Sequence, residues 1–213
     1  MRAFSWTVLA LVCWGGSAGP SRAADCNADV LAAFEKQRKS PAFRMALEQQ
    51  TAEGAVKMVV DYMPPAKMLQ TVTGSHLPGA QQTMLVGDHA YSGSNGVWEE
   101  LLPQFTQSIV AEFRAAISAP PANLGTYECL GKVAYEGKDM MAYRLKGDAE
   151  PGATSDDKVI ARIIYVDAAT GLPAYNVVSP LKHPETPAAK VEYSYPTDVS
   201  IEEPVDAPIQ KVK

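Results

Sequence analysis

Histidines, paired carboxylates and serines in glycine-rich turns are the side chains here that could do chemistry. The chain of 213 residues holds three histidines. His76 sits in Gly-Ser-His-Leu-Pro-Gly, His89 in Gly-Asp-His-Ala and His183 in Lys-His-Pro-Glu. None has a second histidine or a carboxylate at ligand spacing on a shared helix, so they read as exposed loop residues rather than metal ligands. Ser92-Gly93-Ser94-Asn95-Gly96 has the composition of a nucleophile elbow, but Gly-x-Ser-x-Gly is absent and no helix follows. It reads as a hairpin tip. Asp156-Asp157 and Glu202-Glu203 are paired carboxylates on loops, where solvation is the plain reading. Glu99-Glu100 precedes a helical stretch, where acid residues suit the positive end of the dipole. Gly147-Asp148-Ala149-Glu150-Pro151-Gly152 carries negative charge where a phosphate-binding loop needs none. The expectation is a protein without catalytic residues, metal or cofactor.

The cysteines take their meaning from the first residues. Arg2 is followed by an apolar run from Ala3 to about Trp14, too short to span a bilayer. Gly15, Gly16 and Pro20 break it, and Ser21-Arg22-Ala23 offers small residues where a signal peptidase reads. Residues 1–23 are expected to be a cleaved signal peptide. The mature chain keeps two cysteines, Cys26 and Cys129. With no Cys-x-x-Cys spacing and no histidine near either, a structural disulfide is expected over a metal or redox pair. Closing so long a loop is worth up to ~4–5 kcal/mol in the chain-entropy model.

Losing Arg2 and Arg22 takes the formal net charge from −5 to −7. An acidic chain without a basic block is a poor partner for nucleic acid or an anionic membrane. No second apolar stretch reaches transmembrane length, so no integral membrane protein is expected.

Residues 28–40 show helical periodicity, ended by Ser40-Pro41. Phe43, Met45 and Leu47 then alternate with polar residues, as do Val56, Met58, Val60 and Tyr62 across the turn Ala52-Glu53-Gly54. Pro64-Pro65 interrupts the second strand and predicts a bend at an edge or corner before Lys67 to Thr73. Thr83 to Val86 and His89 to Ser92 form a further hairpin. Phe105, Ile109, Phe113 and Ile117 recur every four residues, which predicts an amphipathic helix over 103–118. Strands follow at 127–135, 140–146, 158–167, 173–179 and 190–195, with 147–157 as a mobile loop. The fold class is α+β: a large curved antiparallel sheet of about ten strands with helices covering one face. One domain over 24–200 is expected, with 201–213 a loosely ordered tail.

Six methionines, Met58, Met63, Met68, Met84, Met140 and Met141, lie on or beside these strands. Methionine is adaptable and polarisable, suited to an interior that accepts variable acyl chains as well as to plain core packing. Ile160, Ile163, Ile164 and Val166 make a strand apolar on both faces, which must be covered twice.

The order of elements, with its local phrases, resembles the LolA-like superfamily of exported carriers. Pro64-Pro65-Ala66-Lys67-Met68 looks like the family's strand junction, and Val86-Gly87-Asp88-His89-Ala90-Tyr91 with Gly96-Val97-Trp98 like the next hairpin. Val166-Asp167-Ala168-Ala169-Thr170-Gly171-Leu172-Pro173 is similar to its late turn. The resemblance covers roughly residues 28–200 and implies a half-barrel whose helices lid the concave face. The lipoprotein carriers proper place an arginine before the proline, where this chain has Met63. The resemblance therefore implies the same cavity and an apolar cargo that it does not identify, with lipoprotein sorting itself less supported.

The function expected is a periplasmic, monomeric, non-enzymatic carrier or binding protein of a Gram-negative bacterium. Its ligand would be a lipid or acylated molecule, exchanged with membrane-associated donor or acceptor proteins. Met58, Val60, Tyr62, Met84, Phe105, Ile109, Met141, Tyr143 and Ile164 are the expected lining. A partner-binding module with a filled core is the second reading, and a small enzyme without recognisable motifs the third.

Overall fold

A computed structural model describes residues 25–117, 125–146, 160–180 and 187–211. The expected signal peptide, the expected loop at 147–157 and His183 lie outside the described residues. The chain runs α1 (Cys26–Arg38), β1 (Phe43–Thr51), β2 (Gly54–Met63), β3 (Lys67–Gly74), β4 (Gln81–Val86), β5 (His89–Ser94) and β6 (Val97–Glu100). Then come α2 (Pro103–Ile117), β7 (Tyr127–Tyr135), β8 (Lys138–Leu145), β9 (Ile160–Asp167), β10 (Pro173–Pro180) and β11 (Ala189–Ser194). All eleven strands form one antiparallel sheet in the order β6-β5-β4-β3-β2-β1-β11-β10-β9-β8-β7. Two meanders are joined at their first and last strands, β1 against β11. Both helices lie on the same face, giving the curved α+β half-barrel expected.

Local chemistry explains most of the turns. Asn95 and Gly96 both take positive φ (51° and 81°), the conformation a two-residue hairpin needs. Pro64-Pro65 lies in the turn between β2 and β3, which are neighbouring central strands rather than an edge or sheet corner. Its missing N–H groups fall where the ladder has already ended.

The turn after β9 is built by one carboxylate. Asp167 Oδ1 accepts from the Ala169 and Thr170 amides (3.0 and 2.8 Å) and from Thr170 Oγ1 (3.0 Å). Those bonds, the Thr170 amide foremost, hold the Asp167 carboxyl below the usual carboxylate range. Its contribution is therefore present above that range and lost as pH falls through the lowered value. Asp167→Ala is expected to cost about 1 kcal/mol at neutral pH. The difference in urea midpoint between variant and wild type should narrow as pH falls through that lowered value; a difference that stays constant with falling pH would assign the loss to something other than the ionised carboxylate.

Each helix covers its own part of the sheet. On α1, Val30 and Ala33 pack into Tyr127, Tyr143, Ile164 and Val166, and Asn27 Oδ1 accepts from the Tyr127 amide at 2.6 Å. The Cys26–Cys129 disulfide is formed and ties the first turn of α1 to edge strand β7. On α2, Phe113 and Ile117 pack on Phe43, Tyr62, Met68, Leu85 and Ala90. Phe43 stacks on Tyr62 (centroids 4.7 Å apart, 18° between planes), and Tyr62 on Phe113 at 6.1 Å.

The C-terminal segment and its carboxylates also depart from the sequence-derived expectations. The tail carries contacts that a loosely ordered reading leaves out: Ile201 is 2% exposed against Met84 and Tyr91, on the face opposite the helices. Glu203, expected to be solvated, accepts a hydrogen bond from the Tyr91 hydroxyl. Glu99-Glu100 does precede α2, but at the end of β6 and outside the helix's first turn, where the Glu100 carboxylate meets His89 Nδ1 at 2.8 Å.

Candidate functional site

The strand register arranges the helix-bearing face into parallel rows. The first runs Phe43, Tyr62, Met68, Leu85, Ala90 across β1 to β5 and is buried under α2. Two residues along each strand comes Tyr193, Met45, Val60, Gln70, Thr83. A further two residues along, the row spans nearly the whole sheet: Cys129, Tyr143, Ile164, Asn176, Val191, Leu47, Met58, Val72 and Gln81.

Along this third row Tyr143 and Ile164 are buried beneath α1, whereas Val191, Leu47, Met58 and Val72 are only half-buried. The result is an apolar strip on the central strands between the helix-covered parts of the face. Polar atoms stand at its ends. Asn176 Oδ1 is buried with no hydrogen-bond partner among the described residues, and Gln81 lies beyond Val72. Beside Asn176, burial pushes the Tyr193 phenol up to about 12, so it stays a neutral donor at any physiological pH. Under the edge of α2, Tyr62, Met68, Gln70, Thr83, Ile109, Glu112 and Phe113 line a pocket of about 260 Å³. Burial, with Glu112 adding to it, also raises the Tyr62 phenol.

The expected lining divides by position. Met58, Val60, Tyr62 and Ile109 come together beside and beneath α2. Met141, Tyr143 and Ile164 share the face but pack under α1. Met84 does not line it. It pairs with Leu69 and Tyr91 on the opposite face, while Leu85 takes the helix-bearing one. In Thr83-Met84-Leu85-Val86 both faces are apolar, so alternation could not choose between them. Phe105 is 51% exposed and looks toward Pro208–Lys211, away from the sheet. Residues four apart advance 400° around a helix, so Phe105 and Ile117 end 120° apart, and Thr106 takes the inward place.

Leu47, Val72, Val191 and Asn176 were missed. Each alternates correctly within its own strand. What gathers them is the β1–β11 pairing, which has no local signature.

The chemistry this face offers is apolar contact with a few polar ends. Among the described residues no three His, Cys, Asp or Glu side chains cluster to hold a metal ion. His76 and His89 are both exposed, and each faces a glutamate, Glu53 at 3.6 Å and Glu100 at 2.8 Å.

The fold is thus an open antiparallel half-barrel with both helices on one face. Solved structures share it. Lipoprotein LppX from Mycobacterium tuberculosis is 10% identical, over 83% of this chain and 98% of its own, with a TM-score of 0.51. LprF from Mycobacterium bovis is 12% identical, over 84% and 97%, with a TM-score of 0.52. A LolA superfamily protein from Nitrosomonas europaea aligns over 90% and 96% at 10% identity, but its TM-score is 0.31. At these identities the likeness to LppX and LprF is one of fold alone. No protein-family model and no curated protein sequence matches.

Proposed function

We propose that this chain is an exported, non-enzymatic binding or carrier protein for a lipid or other acylated apolar molecule. The ligand lies along the Val191–Leu47–Met58–Val72 strip and reaches beneath α2, with Val60, Tyr62 and Ile109 along its path. The carrying observation is that strip: four aliphatic side chains in register on central strands, left half-buried where the flanking parts of the face are covered. Apolar burial supplies the affinity, about 25 cal/mol per Å² before the costs of immobilising the ligand. Unbranched Met58 and Met45 adapt to different chains. Asn176 and Tyr193 offer an acceptor and a donor to a headgroup at one end.

Export fits the disulfide, which persists in oxidising compartments. In this reading residues 1–23 are the signal peptide, and the mature protein works as a monomer in the periplasm of a Gram-negative cell, between membrane-associated donor and acceptor. No described helix is long and apolar enough to cross a membrane.

Native mass spectrometry of protein purified from the periplasm tests the reading. The expected result is an added lipid-sized mass that disappears on organic extraction. A bare mass that stays bare after incubation with phospholipid and fatty acid would sink it.

A further inference from the structure

On the opposite face, residues 199–211 cross β3 to β6 as a strap. Ile201 fills a socket whose buried walls are Met84 and Tyr91. Lys67 Nζ donates to the Ile201 carbonyl at 2.9 Å, and the Tyr91 hydroxyl donates to Glu203. At the sheet edge the Glu100 amide donates to the Pro208 carbonyl (2.9 Å), and the Gln210 amide to the Glu100 carbonyl (2.8 Å), a parallel bridge at Ile209. Between these two anchorages Glu202, Val205 and Asp206 are exposed, Val205 at 89%.

The socket belongs to the sheet and not to the strap. Leu69, Met84, Tyr91 and Glu100 form one cross-strand row, held by full ladders from β3 to β6. The strap adds to it one fully buried side chain, Ile201, with Val199 and Ala207 half-buried beside it, two side-chain hydrogen bonds and a one-residue bridge. A segment with so few buried contacts opens at a lower free energy than the ladder beneath it. Lifting it leaves an apolar socket, a lysine and a phenol set to receive a carbonyl and a carboxylate, and the unpaired edge of β6.

We propose that this row is a peptide-docking surface, occupied in cis by the chain's own tail. Its partner is a protein segment in extended conformation with a branched apolar residue and a carboxylate two positions later, continuing as a strand along β6. The tail shows the chemistry the surface accepts. This site shares no residue with the apolar strip, so it stands or falls separately from the lipid-binding reading.

The test uses the full chain and a fluorescein-labelled peptide of residues 197–211. Ile201→Ser with Glu203→Gln loosens the strap in cis. Fluorescence polarisation should show this variant binding the peptide at least tenfold more tightly than wild type does, and a peptide carrying Ile201→Ser should not bind. Hydrogen exchange on the wild type supplies the second reading: the Gln210 amide should exchange at least tenfold faster than that of Val60. Equal peptide affinity for the two proteins, or none for either, overturns the proposal. So does unfolding of the variant, or exchange of Gln210 at the rate of Val60, because the strap would then be part of the cooperative core.

Discussion

Cys26→Ala/Cys129→Ala should unfold at a clearly lower urea concentration than the wild type, with a stability loss of about 3–4 kcal/mol. The bridge joins residues 103 apart in sequence. In the chain-entropy model a loop of that size is worth ~4–5 kcal/mol, and experiment usually returns somewhat less. The structure gives a reason to expect most of it. α1 is the first described element, and its partners Tyr127, Tyr143, Ile164 and Val166 all lie far along the chain. Without the bridge, α1 must find edge strand β7 unaided, held by Val30, Ala33 and the Asn27 bond to the Tyr127 amide. Those contacts should suffice for folding, so the variant is expected to be native-like at low denaturant. Alanine suits a half-buried apolar setting better than serine, which would add a hydroxyl needing a partner. For a domain of this size the loss corresponds to about 10 °C in Tm. Dithiothreitol should bring the wild type to the variant's midpoint and leave the variant unmoved. A wild-type midpoint indifferent to reductant would show that the constraint contributes nothing.

The disulfide was legible because, once residues 1–23 are read as a signal peptide, Cys26 and Cys129 are left with each other. The hairpins were legible for a similarly local reason. Gly87-Asp88, Asn95-Gly96 and Asp167 to Gly171 carry their turn chemistry within a few residues. The candidate site was not local. Leu47 meets Val191 only because β1 pairs with β11, some 140 residues later, and alternation within a strand says nothing about its neighbour. Met84 shows a second limit: where four consecutive residues suit both faces, only the tertiary partners decide, and here Tyr91 and Ile201 claimed it. Phe105 shows a third, since a repeat of four drifts around a helix of 3.6 residues per turn. Ile201 stood alone beside Glu202, Glu203 and Pro204, so nothing in its surroundings marked an anchor.

Met58→Glu should abolish binding of an apolar ligand while leaving a folded protein. Met58 is half-buried between Leu47 and Val72, so in the free protein a glutamate there keeps much of its hydration. The cost to folding should stay within about 2 kcal/mol, mostly lost packing against the α2 cluster. A bound acyl chain changes that. It must strip water from the carboxylate, and no lysine, arginine or histidine lies across from it in the row, where its neighbours are Leu47 and Val72. Dehydrating an unpaired charge costs several kcal/mol, and each 1.4 kcal/mol is about tenfold in affinity. The expected loss is therefore at least about a hundredfold, read by displacement of a fluorescent fatty acid and by native mass spectrometry. Met58→Leu should bind within about threefold of wild type, since it keeps the apolar volume. Thr71→Glu supplies the control: it sits on β3 facing the other way, paired with Val59 rather than with the strip, and should leave affinity unchanged. A folded Met58→Glu protein that binds as the wild type does would move the ligand off the central strip, and the lipid-binding reading would lose the observation that carries it.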